Sequence, residues 1–145
     1  MNELFNRELI ETVRRALAED VGQGDLTASL ISSDAWRKAA VICRESAVLC
    51  GRYWVEEVFA QLGGKVSLHW LASDGDMLEP GQPFLTLEGP AQSILTGERT
   101  ALNFLQLLSA VATTAREYAQ AVAGTNTVVL DTRKTLPGLR FAQKY

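Results

Sequence analysis

A chain of 145 residues has room for one domain, or for one domain and part of another, and can bury a real core. Hydrophobic residues make up 47% of it and charged residues 21%, which is typical of a soluble globular protein. A net charge of −3 argues against broad binding to a nucleic acid backbone, and no apolar run reaches the roughly 18 residues that a transmembrane helix needs.

The small number of cysteine and histidine residues limits the disulfides and metal sites that the chain can form. Cys43, Cys50 and His69 cannot build a disulfide scaffold or a four-ligand zinc site, so buried thiols and no protein-held metal are predicted. His69 falls in a predicted strand, where a structural role is expected. The first twenty residues are charged and lack the apolar core of a signal peptide. The protein is therefore expected in the cytoplasm.

The first half of the chain reads as alternating helices and strands. Apolar residues at helical spacing predict a helix over residues 7–19, and the glycine-containing segment 20–31 reads as a loop. One or two strands are predicted over 38–51, followed by a short amphipathic helix over 52–64 that ends at two glycines. Weak alternation over 65–73 predicts another strand.

Turn residues define the next unit. The turns Asp74–Asp76 and Glu79–Gly81 and the strand former Phe84–Leu87 predict a hairpin-like unit over 74–90. The turn-containing segment 74–82 is too short and carries too few ligands for a calcium site of the EF-hand type.

Residues 91–124 then predict a helix, which is long enough that a break near Ser109–Thr114 is expected. Apolar side chains cover most of its circumference, and no charge occurs between Arg99 and Arg116, so the helix should be buried on several sides. Its polar side chains share one narrow stripe: Arg99, Thr100, Asn103 and Gln106.

The apolar run 127–130 predicts a strand, and a helix followed by such a strand is typical of a parallel sheet. Ligands of α/β sheets and barrels bind beyond the carboxyl ends of strands, and Asp131–Thr135, which include Arg133 and Lys134, occupy that end of the predicted strand. An arginine fork, a lysine ammonium and hydroxyl donors suit a small polyanion. The alternative is a solvated loop in which Arg133 pairs with Asp131.

Arg99 is the second candidate. A lone arginine on a nearly uncharged helix needs a partner if it is buried. The adjacent Glu98 points elsewhere on the helix, so the partner would be another element, another subunit or a ligand. The alternative is a peripheral arginine whose guanidinium reaches water.

Two motifs carry a family resemblance. GERTALNFLQLLSAVAT, which begins at Gly97, and GTNTVVLDTRKTLPGLRFAQKY, which begins at Gly124, resemble quinolinate phosphoribosyltransferase, and the similarity extends from about Glu19 onward. The resemblance implies an α+β chain: an amino-terminal α/β sandwich domain, residues 1–108, followed by the first helix and strand of an open α/β barrel, residues 109–145.

This family transfers a phosphoribosyl group from phosphoribosyl pyrophosphate to quinolinate. Carbon dioxide and pyrophosphate leave and nicotinate mononucleotide forms, a step of de novo NAD synthesis. The resemblance implies that Mg²⁺ accompanies phosphoribosyl pyrophosphate and that the enzyme is a homodimer whose active site takes residues from both subunits.

The resemblance also implies roles for individual residues. Arg99 is similar to the arginine that one subunit lends to its neighbour's site, where it would bind a quinolinate carboxylate. Thr132, Arg133 and Lys134 are similar to the substrate-binding residues at the end of the first barrel strand. Lys134 would stand between quinolinate and the phosphoribosyl donor as a catalytic residue.

A complete barrel needs about 200 residues or more. The family's later site residues, an arginine, a histidine, a lysine and barrel carboxylates, have no counterpart in this sequence. The chain is therefore expected to be a truncated or partial form without activity of its own. It could still dimerise through the apolar helix around Leu95 to Leu108.

Two other readings stay open. The segment 74–89 is similar to the hairpin of biotinyl and lipoyl carrier domains, but no lysine for modification lies between Lys65 and Lys134. A non-catalytic fragment that pairs with a full-length subunit is the third possibility. Nicotinate phosphoribosyltransferases have a similar layout, and the motif DTRKTLPGLR favours the decarboxylating enzyme.

Overall fold

The computed structural model describes residues 3–22, 24–32 and 34–145. These residues form helices and small antiparallel sheets, which confirms the predicted α+β class. Their elements are α1 (Glu3–Val21), α2 (Leu26–Ser29), β1 (Trp36–Ile42), β2 (Ala47–Val48), α3 (Arg52–Gln61), β3 (Ser67–Trp70), β4 (Met77–Leu78), β5 (Pro83–Pro90), α4 (Ala91–Ala121) and α5 (Arg140–Lys144). No helix within the described ranges is both long and apolar enough to cross a membrane.

The local predictions for the first half of the chain are largely confirmed. The strands predicted over 38–51 are β1 and β2, and the predicted amphipathic helix is α3. The segment predicted as a loop over 20–31 contains the single turn α2, and its residue 23 lies outside the described residues.

The predicted hairpin over 74–90 is wrong. Strand β5 lies between β1 and β3 in one sheet, whereas β4 pairs with β2 in a separate two-stranded sheet. The turn at Glu79–Gly81 carries the chain from one sheet to the other, and the Gly81 amide donates to the Cys43 carbonyl, 2.8 Å away. The likeness to a carrier hairpin ends here, because its two strands do not pair with each other.

The core forms where α1, α3 and α4 meet the inner side of the β1–β5–β3 sheet. Helix α3 buries Trp54 and Phe59, α1 buries Val13, and α4 buries Leu105 and Leu108. The apolar side of α4 thus packs within the chain. Leu95 and Leu102 remain partly exposed, and association of the chain through this helix stays a prediction.

Helix α4 is continuous from Ala91 to Ala121, so the predicted break near Ser109–Thr114 is wrong. The hydroxyls of this stretch contact the segment around β2 in the same chain. Ser109 Oγ accepts from the Cys50 amide at 3.0 Å, and Thr113 Oγ1 accepts from the Val48 amide at 2.8 Å. Within the predicted polar stripe Arg99, Asn103 and Gln106 are exposed, whereas Thr100 is buried.

Gly97 allows α4 to approach α3 closely. A methyl group at this position would lie 2.6 Å from Phe59 Cε1 and 3.0 Å from Leu62 Cδ1. We expect Gly97→Ala to lower the free energy of unfolding by about 1–2 kcal/mol, although alanine favours helix, because the ring of Phe59 must shift. Urea denaturation measures this change. Gln106→Ala, on the exposed face of α4, should change stability by less than about 0.5 kcal/mol. A Gly97→Ala protein more stable than the original would refute this account of the contact.

The strand predicted over 127–130 does not form. A strand needs hydrogen-bonded neighbours, and no strand of the described residues lies beside this segment. Val128 is 74% exposed and Leu130 78% exposed. After it the chain returns to the core through α5, whose Ala142 is buried.

Candidate functional site

The Arg99 cluster comprises Arg99 and Thr100 of α4, Asp20 near the end of α1, and Asp25 just before α2. The Arg99 Nε donates to both oxygens of Asp20, at 3.0 Å and 3.3 Å, and its Nη2 lies 3.8 Å from Asp25 Oδ2. The hydrogen bond to Asp20 raises the pKa of Arg99. Of the partners that the sequence left open, the structure supplies another element of the same chain.

Both carboxylates of this cluster have further contacts. Thr100 Oγ1 donates weakly to Asp20 Oδ2 over 3.5 Å. Asp25 Oδ1 accepts from the Ala28 amide at 3.0 Å, as a helix N-cap does. The Asp25 side chain is only 7% exposed, whereas that of Arg99 is 50% exposed. The Arg99 guanidinium therefore lies at the surface and contacts two carboxylates on its inner side.

The cationic segment, Asp131–Thr135, is largely exposed. Its backbone is locally ordered, because the Lys134 amide donates to Thr132 Oγ1 at 3.1 Å. Arg140 contacts it from α5, with Nη2 3.4 Å from the Arg133 carbonyl oxygen. Among the described residues, neither the Arg133 guanidinium nor the Lys134 ammonium has a hydrogen-bond or ion-pair partner.

Asp131 forms an ion pair with Lys144 of α5. The alternative in which Asp131 pairs with Arg133 is therefore wrong, because the turn of α5 brings a different cation to that carboxylate. Arg133 keeps its charge available on the surface.

A groove of about 550 Å³ lies between the Arg99 cluster and the chain that follows the cationic segment. Asp20 and Thr100 line one side, and Pro137–Leu139 line the other. Neither Arg99 nor Arg133 lines this groove or the second one of about 820 Å³ around α5. These two grooves therefore do not bring Arg99 and Arg133 together.

Asp74 has a structural role that the sequence did not reveal. Its Oδ1 accepts from the amides of Gly51 and Arg52 at the start of α3, at 3.1 Å and 3.2 Å. Its Oδ2 accepts from the Tyr145 hydroxyl at 3.0 Å. The ring of Tyr145 also packs against Phe5. Asp74 thereby connects the α3 terminus to the last turn of the chain.

The two thiols differ in environment. Cys50 is buried beside Asp74, and burial followed by that negative charge raises the pKa of its thiol to about 11. Cys43 is only partly buried and donates to the Glu45 carbonyl.

We therefore expect a disulfide reagent at pH 8 to modify Cys43 well before Cys50, since the thiolate is the reactive form. Colorimetric thiol titration of the Cys43→Ser and Cys50→Ser variants separates the two rates. Equal rates would contradict the buried position of Cys50. Because its folded pKa exceeds the ordinary 9.0, the Cys50 contribution to stability is complete below pH 9 and is lost as the pH rises through about 11.

The fold and these surface charges define an α+β domain whose long helix leads to a cationic segment suited to anions. Residues 25–109 match the family model of the quinolinate phosphoribosyl transferase N-terminal domain, and residues 111–145 match that of its C-terminal domain. The chain belongs to the quinolinate phosphoribosyl transferase family.

Known proteins of this family are similar along the whole chain. A probable nicotinate-nucleotide pyrophosphorylase [carboxylating] from Bacillus subtilis is 36% identical over 145 residues, which cover 100% of this chain and 49% of the relative. The Mycobacterium leprae nicotinate-nucleotide pyrophosphorylase [carboxylating] is 39% identical, covering 93% of this chain and 49% of the relative. The solved nicotinate-nucleotide pyrophosphorylase from Francisella tularensis is 41% identical with a TM-score of 0.92, covering 97% of this chain and 50% of that one. The chain thus spans about half the length of these proteins.

Proposed function

We propose that the chain forms part of an enzyme that transfers a phosphoribosyl group from phosphoribosyl pyrophosphate to quinolinate. The products would be nicotinate mononucleotide, carbon dioxide and pyrophosphate, in de novo NAD synthesis in the cytoplasm. The observation that carries this proposal is the match of both family domains, in order, over residues 25–109 and 111–145. The division into domains at residue 108 stays a prediction, and that position lies inside α4.

Arg99 would bind a quinolinate carboxylate in the active site of the neighbouring subunit of a homodimer. Its half-exposed guanidinium supports this role, because a planar fork of donors matches a carboxylate. Neither of the two grooves described above is lined by Arg99 or Arg133, which is compatible with a site divided between two subunits.

Thr132, Arg133 and Lys134 would bind substrate within their own subunit. Arg133 would contact quinolinate, and Lys134 would stand between quinolinate and the phosphoribosyl donor. Both cations are exposed on a segment whose backbone is held by Arg140 and by the hydroxyl of Thr132. Quinolinate is a dianion and the donor is a polyanion, so the charges of this segment suit both.

The reaction develops positive charge on the ribose as pyrophosphate departs. A positioned ammonium such as that of Lys134 would stabilise the negative leaving group, and arginines that orient the carboxylates would fix the attacking ring nitrogen against the ribose. Decarboxylation then places negative charge on the pyridine ring, which the same arginines can stabilise.

Magnesium belongs to this proposal through the pyrophosphate of the donor, whose charge it would neutralise when bound. Among the described residues no group of three carboxylate, imidazole or thiol ligands is gathered in one place. Asp20 and Asp25 already contact Arg99. These two carboxylates are therefore engaged by the guanidinium and are not free to hold the ion.

The proposal is tested by mixing the chain with a variant of an intact relative, such as the Bacillus subtilis protein. In this variant the residue that matches Arg99 has been replaced with alanine. The relative then supplies the barrel, and the chain supplies only Arg99. We expect mixed dimers by native mass spectrometry and formation of nicotinate mononucleotide, while each protein by itself remains nearly inactive. Mixed dimers without activity would refute the role of Arg99, and failure to form them would refute the proposed dimer.

A further inference from the structure

We propose that Asp20 and Asp25 are positioning residues that hold the Arg99 guanidinium in the orientation in which it meets a substrate carboxylate. This inference rests on the proposed role of Arg99. Nothing in the sequence pattern assigns these two residues to the site, since they lie 79 and 74 positions before Arg99. The structure brings them together because α1, α2 and α4 meet at this point.

The geometry leaves part of the guanidinium available. Asp20 accepts from Nε, and Asp25 lies near Nη2. Among the described residues, Nη1 has no hydrogen-bond or ion-pair partner. A guanidinium carries five N–H donors in one plane, so holding one edge fixes the direction of the others. The half-exposed side chain would then present its remaining donors outward.

The carboxylates are themselves fixed. Asp25 is nearly buried and caps α2 through the Ala28 amide, while Asp20 contacts Thr100 as well as Arg99. A long arginine side chain at the surface would otherwise sample many rotamers, and ordering it on binding costs affinity. The two carboxylates would remove that cost before the substrate arrives.

The sign of one mutation distinguishes positioning from competition. A carboxylate that merely competes with a dianionic ligand for Arg99, or repels it, would weaken binding, so its removal would strengthen binding. A carboxylate that positions Arg99 has the opposite effect, and its removal would weaken binding although the local negative charge falls.

The first measurement uses the chain by itself. Hydrogen exchange of arginine Nε–H groups is followed by ¹⁵N-edited NMR, and Arg99→Lys identifies the Arg99 signal. We expect Arg99 to exchange more slowly than the exposed Arg133, and Asp20→Ala to accelerate it at least about fivefold. Asp20→Asn keeps an acceptor oxygen, so its Arg99 exchange rate should fall between that of the original chain and that of Asp20→Ala. Glu11→Ala, which removes an equivalent surface pair with Arg14, should leave Arg99 unchanged.

Exchange at Arg99 as fast as at Arg133, or unchanged in Asp20→Ala, would overturn the proposal. Circular dichroism checks that each variant is folded. This measurement needs no catalysis and stands whether or not the proposed function is correct.

The second measurement uses the mixed dimers described above. We expect Asp20→Ala in the chain to raise the KM for quinolinate about tenfold with little change in kcat, and Asp20→Asn to restore part of the loss. A lower or unchanged KM would overturn the positioning role. Inactivity of the mixed dimer with the original chain would instead refute the proposed role of Arg99 in the neighbouring site, and the exchange rates would then show only whether Asp20 orders its guanidinium.

Discussion

Replacing Arg99 with alanine is expected to abolish the ability of the chain to complement a relative that lacks the matching arginine. Mixed dimers should still form, because Arg99 is half exposed and contributes little to the core. Formation of nicotinate mononucleotide should fall at least about 100-fold, since the lost fork both binds and orients a carboxylate. Steady-state assays with varied quinolinate measure this loss.

Two variants serve as controls for this result. Arg7→Ala removes an exposed arginine of α1, whose side chain is 74% exposed, and should complement as well as the original chain. Arg99→Lys keeps the charge without the fork and should recover only a small part of the activity. Full activity with Arg99→Ala would show that this arginine does not serve the neighbouring site.

Removing the Asp74 carboxylate is expected to have the largest effect on stability among the polar contacts described above. Asp74→Ala leaves the Gly51 and Arg52 amides without their acceptor and breaks the bond from the Tyr145 hydroxyl. Loss of a helix cap and of a partly buried hydrogen bond together should lower the free energy of unfolding by about 2–3 kcal/mol. Urea denaturation, followed by tryptophan fluorescence, measures this change.

The components of that effect can be separated. Tyr145→Phe removes only the hydroxyl bond and should cost about 1 kcal/mol. A double-mutant cycle between Asp74→Ala and Tyr145→Phe should show coupling of similar size. If Asp74→Ala costs no more than Tyr145→Phe, then the cap on α3 contributes nothing and this explanation of the α3 start is wrong.

Local patterns in the sequence were sufficient where neighbouring residues decide the structure. The amphipathic helix over 52–64 and the strands within 38–51 follow from apolar spacing and terminal glycines, and both form. The continuity of α4 was missed because Thr113 contacts Val48 of β2 and Ser109 contacts Cys50 just after it, about 60 residues away in sequence. The hydroxyls alone could not reveal which backbone amides donate to them.

Pairing between distant segments could not be derived in the same way. The turns within 74–90 suggested a hairpin, but β4 pairs with β2, which precedes it by about thirty residues. The run 127–130 has strand propensity, and it forms no strand because none of the described strands lies beside it. Propensity describes which residues suit a sheet and leaves its partners undetermined.

The same reasoning applies to the candidate site. The sequence required a partner for Arg99 only if its side chain was buried; the side chain is half exposed, as in the alternative of a peripheral arginine, and it is nevertheless paired. Only the fold shows that Asp20 and Asp25 supply one. One signal in the sequence could have pointed to them. Asp20 and Asp25 stand at the two ends of a glycine-containing segment that follows the predicted end of α1. The roles of Thr132, Arg133 and Lys134 stay predictions.

The most direct test of the account is a crystal structure of the mixed dimer with quinolinate bound. We predict that the Arg99 guanidinium of the chain lies within hydrogen-bond distance of a quinolinate carboxylate bound in the relative's barrel, while its Nε still donates to Asp20. Quinolinate bound in that barrel with Arg99 directed away from it would contradict the account.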